Sequence, residues 1–182
     1  MTLRTDRLDI VWASPEHLDA ALAGDADLAA ALGAIVPPSW PPEFIDAPTL
    51  EWMRDRLAAC DPADRSWWAG FLLLRPAAAA GSAPVLVGTA GYKGPPGEDG
   101  TVEIGYSVVT EFQRRRLATE AAGALVRRAF DDPRVRRVIA ETLVDGLASQ
   151  GVLRHCGFVG PEPGSEPGVV RFAVARPGPG QK

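Results

Sequence analysis

Two carboxylates interrupt runs that are otherwise apolar. Glu103 falls within Thr101 to Val108, on the strand face it shares with Gly105 and Ser107, where it can take a proton directly or through water. Glu141 shares a face with Ile139 and Leu143, so if that face is covered, desolvation raises its pKa toward the range useful to a base. Each also has a plainer role open to it. Glu103 can be a surface or turn-bracing carboxylate, and Glu141 a structural one bonded to a neighbouring strand end. Between them, Gln113-Arg114-Arg115-Arg116-Leu117-Ala118 runs into a helix that opens with Ala118-Thr119-Glu120-Ala121. The first N–H groups of a helix have no internal partners and lie at the positive end of its dipole, so this turn is an anion site that a pyrophosphate can occupy. The three arginines either contact the phosphates or form a solvated run.

Several elements must position these residues. Leu8 to Ala13 reads as an opening strand, and Ser14-Pro15-Glu16 starts a helix with Ser as the cap and Pro in the first turn. Residues 33 to 48 carry five prolines yet also Ile35, Val36, Trp40, Phe44 and Ile45, which predicts an ordered loop on the substrate side. Leu50, Met53, Leu57 and Cys60 have helical spacing within Thr49 to Cys60. Trp67 to Leu74, Val85 to Tyr92 and Thr101 to Val108 predict a three-stranded antiparallel meander. The helix Leu117 to Phe130, strand Val138 to Leu143, helix Ala148 to His155 and strand Val169 to Ala175 follow, which gives an α/β sheet domain with helices on both faces.

A length of 182 residues suits one domain, with 177–182 as a flexible tail. The net charge of -4 argues against a protein that grips a nucleic-acid backbone and favours a small-molecule partner. Cys60 and Cys156 stand apart, with no Cys or His at metal-ligand spacing, so no metal is expected and the thiols suit a reducing cytoplasm. No apolar run reaches the roughly 18 residues of a membrane span, and no G-x-G-x-x-G follows a strand, so neither a membrane partner nor a dinucleotide is expected.

The stretches Thr101-Val102-Glu103-Ile104-Gly105-Tyr106-Ser107-Val108-Val109, Gln113 with Ala118-Thr119-Glu120-Ala121, Val138-Ile139-Ala140-Glu141-Thr142, and Ala148-Ser149 with Val152-Leu153 and Cys156-Gly157-Phe158 closely resemble the GNAT superfamily of N-acetyltransferases. The nearest branch is that of the ribosomal-protein alanine acetyltransferases. The likeness extends to Val87-Gly88-Thr89-Ala90-Gly91-Tyr92-Lys93-Gly94 and to Ser39-Trp40-Pro41-Pro42, nearly the whole chain. It implies a mixed, mostly antiparallel central sheet and acetyl-CoA as co-substrate. The acceptor would be a small-molecule amine or a peptide N-terminus, and a homodimer is possible in such a family.

Carried over by position, the resemblance implies that Tyr106, Ser107, Val108 and Val109 pair with the pantetheine arm. Gln113, Arg114, Arg115, Arg116, Leu117, Ala118 and Thr119 would hold the pyrophosphate. The N–H of Val108 or Val109, freed where the strand splays, would polarise the thioester carbonyl. Ser149 matches the position whose hydroxyl helps protonate the leaving thiolate, or else is an ordinary first-turn serine; the tyrosine acid of other branches is replaced by Leu153. His155 reads as a surface histidine and Cys156 as core. Trp40 is the aromatic expected to meet the acceptor. Arg116 stands where the family's turn has its first Gly, and Gly146 where relatives carry an Asn that braces the turn near the thiol. Gln150 and Gly151 replace the residues that commonly begin the next helix. These departures support an alternative, a scaffold with a degenerate CoA site redirected to another reaction or to ligand binding.

Overall fold

The computed structural model describes residues 2–76 and 81–178, so 77–80 of the Ala-rich linker and 179–182 of the expected tail lie outside it. Strands β1 (Thr2–Arg4) and β2 (Leu8–Trp12) open the chain. Helices α1 (Pro15–Ala23), α2 (Asp25–Leu32) and α3 (Ala47–Ala59) follow. Next come β3 (Ala69–Leu74), β4 (Val85–Tyr92), β5 (Thr101–Val108), α4 (Leu117–Asp131), β6 (Arg137–Leu143), α5 (Leu147–His155), β7 (Val159–Pro163) and β8 (Val169–Ala175). The strands form one sheet in the order β1-β2-β3-β4-β5-β6-β8-β7. Every neighbouring pair is antiparallel except β5 and β6.

Helices cover both faces of the sheet. On one side α4 presents Leu117, Ala121, Ala122, Leu125 and Ala129, four-residue spacings of mostly small side chains that let it lie close to Val102, Ile104, Val138 and Ala140. Burying Leu125 alone contributes about 2 kcal/mol. On the other side α1 to α3 bring Leu18, Leu28, Leu50 and Leu57 against Phe71, Leu73 and Leu86. Ser14 caps α1 as its sequence predicts, accepting from His17 N at 3.3 Å, while His17 Nδ1 accepts from Ser14 N at 3.3 Å.

Three elements are absent from the sequence-based reading. β1 has only three residues, and β7 (VGPEP) carries two prolines and is mostly exposed, which is how edge strands look. The Ala-rich α2 buries only Leu28, so its periodicity is weak, although Gly33 ends it in a left-handed cap. Trp67 belongs to a 3-10 turn, Pro62–Trp67, and β3 begins two residues later. Among the described residues no helix is long and apolar enough to cross a membrane.

Candidate active site

The sheet opens between β5 and β6. The two strands pair only over Thr101, Val102 and Glu103, against Arg137, Val138 and Ile139; beyond that β6 continues along β8 and β5 along β4. Lys93 N donates to Glu103 O at 3.0 Å and Val109 N to Val87 O at 3.0 Å. In an antiparallel ladder that alternation also turns the backbone groups of Gly105 and Ser107 toward β4, and those of Ile104, Tyr106 and Val108 toward the opening. Of the four strand residues expected along a pantetheine arm, Tyr106 and Val108 therefore turn their backbone toward the opening. Val109 does not: its N–H is taken by Val87 and its carbonyl accepts from Phe112 N at 2.9 Å, so of the two candidate donors only the N–H of Val108 faces the opening. Gly88 lets the strands meet this closely, because a Cβ there would lie 2.0 Å from Ser107 O.

At the end of β5, Gln113 Nε2 donates to Val108 O at 2.9 Å and so hooks the following turn to the strand rather than reaching outward. Arg114 (φ 60°) and Arg116 (φ 61°) are both left-handed, a region that costs a side chain about 1 kcal/mol or more. Arg115 folds back, its guanidinium 4.9 Å from the Phe112 ring and donating to Glu111 O at 3.2 Å. Arg114 and Arg116 are exposed, and their guanidinium groups make no hydrogen bond or ion pair among the described residues. They stand beside the first turn of α4, where Leu117 is buried and offers only its backbone N–H.

Glu120 secures this turn from behind, and sequence reasoning gave it no role. It accepts from Arg7 N at 2.7 Å, Arg7 Nε at 2.7 Å and Thr5 Oγ1, while Arg7 Nη1 reaches Arg115 O at 3.1 Å. Burial pushes its carboxyl up, but these donors hold it below the ordinary value. Its partners are more than a hundred residues away, and no local pattern announces them.

Across the opening lies the turn before α5. Ser149, in the first turn of α5, meets the phenol of Tyr106: Oη lies 3.1 Å from Ser149 Oγ and 3.2 Å from Ser149 O. Leu153 is fully buried and Cys156 packs against the same core. The bracing expected to be lost with Gly146 is present in another form. The amide of Gln150, only 5 % exposed, donates to Val144 O at 2.9 Å and Leu143 O at 3.3 Å. Its Oε1 accepts from Arg154 at 3.1 Å. A polar side chain one turn before Leu153 on the same helix face is the one sequence signal for this.

Glu103 and Glu141 lie on the face turned away from α4, since Val102, Ile104, Val138 and Ala140 point toward it. Each carboxylate holds a cation. Lys93 Nζ pairs with Glu103, and Arg171 grips Glu141 Oε1 through Nε at 2.9 Å and Nη2 at 2.7 Å, with Ser165 Oγ 2.6 Å from Oε2. The expectation of a raised pKa at Glu141 is corrected: burial does push it up, but Ser165 and Arg171 pull it below the usual carboxylate value. Trp40, expected to meet the acceptor, is buried, its ring centroid 6.0 Å from that of Phe71. The same loop exposes Phe44 instead, 69 % accessible at φ 68°, next to Glu43, whose carbonyl accepts from Ser107 Oγ at 3.0 Å. Among the described residues no group of three or more His, Cys, Asp or Glu is placed to hold a metal ion.

A family model described as an acetyltransferase (GNAT) domain matches residues 7–159. An uncharacterized N-acetyltransferase, YjdG, of Bacillus subtilis is 35 % identical over 74 residues, 41 % of this chain and 44 % of that protein. An FsC-acetyl coenzyme A-N(2)-transacetylase of Aspergillus fumigatus is 33 % identical over 84 residues, 41 % of this chain and 36 % of that protein. Both matches span less than half of those curated relatives. Among solved structures, a GNAT-family acetyltransferase of Bordetella pertussis superposes with TM-score 0.64 at 21 % identity, covering 96 % of this chain and 99 % of that one. A RimL ribosomal L7/L12 alpha-N-protein acetyltransferase in complex with coenzyme A superposes with TM-score 0.63 at 17 % identity, covering 96 % and 98 %. At such identities the likeness is one of fold.

Proposed function

We propose that this chain, which belongs to the GNAT acetyltransferase family, moves an acetyl group from acetyl-CoA to a primary amine of a small molecule or a peptide N-terminus. The observation that carries the reading is the opening between β5 and β6, bordered by the inward-facing backbone of Tyr106 and Val108 and by the turn that bears the free Arg114 and Arg116. In this reading the α4 N–H groups with Arg114 and Arg116 hold the pyrophosphate, as charge-assisted pairs at a helix N-terminus do. Val108 N–H supports the charge that develops on the thioester oxygen. Ser149 Oγ–H stands where the thiolate leaves.

For the base, Glu103 is the better placed of the two carboxylates. Lys93 is its one charged partner and its side chain is 24 % exposed, so water can carry a proton to it, whereas Glu141 is gripped by Arg171 and Ser165. Glu141 then serves to fix the β6–β8 face and to lend it negative charge. Phe44 takes the acceptor-facing place expected of Trp40.

Calorimetric titration with acetyl-CoA, followed by a thiol-release assay with a panel of primary amines, tests the reading. Binding and amine-dependent thiol release are expected. No binding at millimolar acetyl-CoA overturns it. The alternative of a degenerate cofactor site keeps only Arg116 in its favour, because Gln150 supplies the bracing that Gly146 does not.

A further inference from the structure

Tyr106 is the one hydroxyl-bearing side chain of β5 that crosses the opening, and it ends on a serine. Its ring is packed against the core beside α4, and its Oη lies 3.1 Å from Ser149 Oγ and 3.2 Å from Ser149 O. One phenol proton is available for these two acceptors. If it goes to the carbonyl, Ser149 Oγ–H points back at Tyr106; if it goes to Oγ, the serine proton is released into the opening.

We propose that Tyr106 is a positioning residue for Ser149: by donating to Ser149 Oγ it directs the serine proton at the sulfur that departs from the acetyl group. The inference rests on the acetyltransferase reading and deepens it. As the amine nitrogen bonds to the acetyl carbon, the carbon–sulfur bond breaks with its electron pair on sulfur. Ser149 Oγ–H then holds that thiolate by a hydrogen bond. The extra proton shed by the nitrogen ends on sulfur, so the products are an amide and a free thiol. Burial raises the Tyr106 phenol to about 12, which keeps it a donor at any ordinary working pH. The two acceptors lie at nearly equal distances, so the phenol proton swaps between them with little movement of heavy atoms.

The test compares calorimetric binding of CoA and of desulfo-CoA, which lacks only the thiol, at about pH 7, where the thiol is protonated, and about pH 10, where an unactivated alkyl thiol is substantially ionised. For the unaltered protein, preference for CoA widens as the thiolate forms. In Tyr106→Phe that preference falls roughly tenfold at the higher pH, the scale of one charge-assisted hydrogen bond, with desulfo-CoA affinity unchanged. Ser149→Ala loses as much, and the double variant loses no more, because the two hydroxyls act as one unit. In turnover, Tyr106→Phe lowers kcat and leaves the acetyl-CoA KM unchanged. A Tyr106→Phe protein that keeps the full CoA preference, or losses that add in the double variant, overturns the inference alone. An unaltered protein that binds neither ligand overturns the acetyltransferase reading and this inference with it.

Discussion

Arg116 and Gly146 stand at the two turns that border the opening, and each departs from the glycine or asparagine that the family resemblance leads one to expect there. At residues 113–117 the backbone keeps a left-handed conformation that suits glycine, with arginine in it at positions 114 and 116. The strain remains, and two cations stand free beside a helix N-terminus. At residues 143–147 the bracing side chain is gone from the turn, and Gln150 inside the following helix ties the turn carbonyls instead. One departure is thus compensated by a neighbour within the structure. The other is uncompensated structurally, which points to a gain elsewhere, and phosphate contact is the gain that free guanidinium groups at an anion site can supply.

Four substitutions sharpen or break this comparison. Gln150→Leu leaves Val144 O without its donor and Leu143 O with Gly146 N–H alone, and we expect a loss of ~3 kcal/mol in urea unfolding together with weaker CoA binding; an unchanged midpoint means the turn is not braced from α5. Glu120→Gln frees the other turn from the connection between β1 and β2, at a cost of about 2 kcal/mol at neutral pH. The Glu120 carboxyl lies below its unfolded value, so its contribution is complete above the unfolded pKa and disappears as pH falls through the folded one. Melting curves of Glu120→Gln and the unaltered protein should accordingly converge in acid, and a gap that persists there contradicts the assignment.

Gly146→Ala comes next, at about 1 kcal/mol, because a Cβ would lie 2.7 Å from Thr142 Oγ1 and 3.0 Å from Leu143 O. If alanine there stabilises the protein, the turn is looser than its contacts indicate. Arg116→Gly has the smallest effect on folding, a gain of about 0.5 kcal/mol as relief of the left-handed strain is partly offset by glycine's unfolded-state entropy. The same variant should bind acetyl-CoA roughly tenfold more weakly in calorimetry. Equal or tighter binding means that Arg116 is only a solvated side chain in a strained position.

Much of this fold is legible in one sequence because its central elements bury regular patterns. β3 and β4 read as continuous apolar runs, β5 and β6 show alternation and α4 four-residue spacing, strong enough to read directly. β1, β7 and α2 have little apolar surface to pattern. The residues of the site divide in a similar way. Glu103, Glu141, Ser149 and the 113–119 turn are visible as residue types in order, yet their chemical states depend on partners from other elements. Arg171 and Ser165 reverse the expected pKa shift of Glu141, and Phe71 takes Trp40 into the core.

The sequence by itself carried the β3–β5 meander, the long α4 and the arginine-bearing turn between them, because apolar runs and local spacing mark those, and it carried the family through the resemblance of its motifs. Tertiary structure alone decided which N–H groups face the opening, that Gln150 replaces a missing brace, that Glu120 anchors the arginine turn, and that Tyr106 reaches Ser149. Each of these is a contact between elements separated in the chain or a consequence of strand register and helix turn, and hydrogen bonds of a few ångströms between such groups leave no period in the sequence to be read.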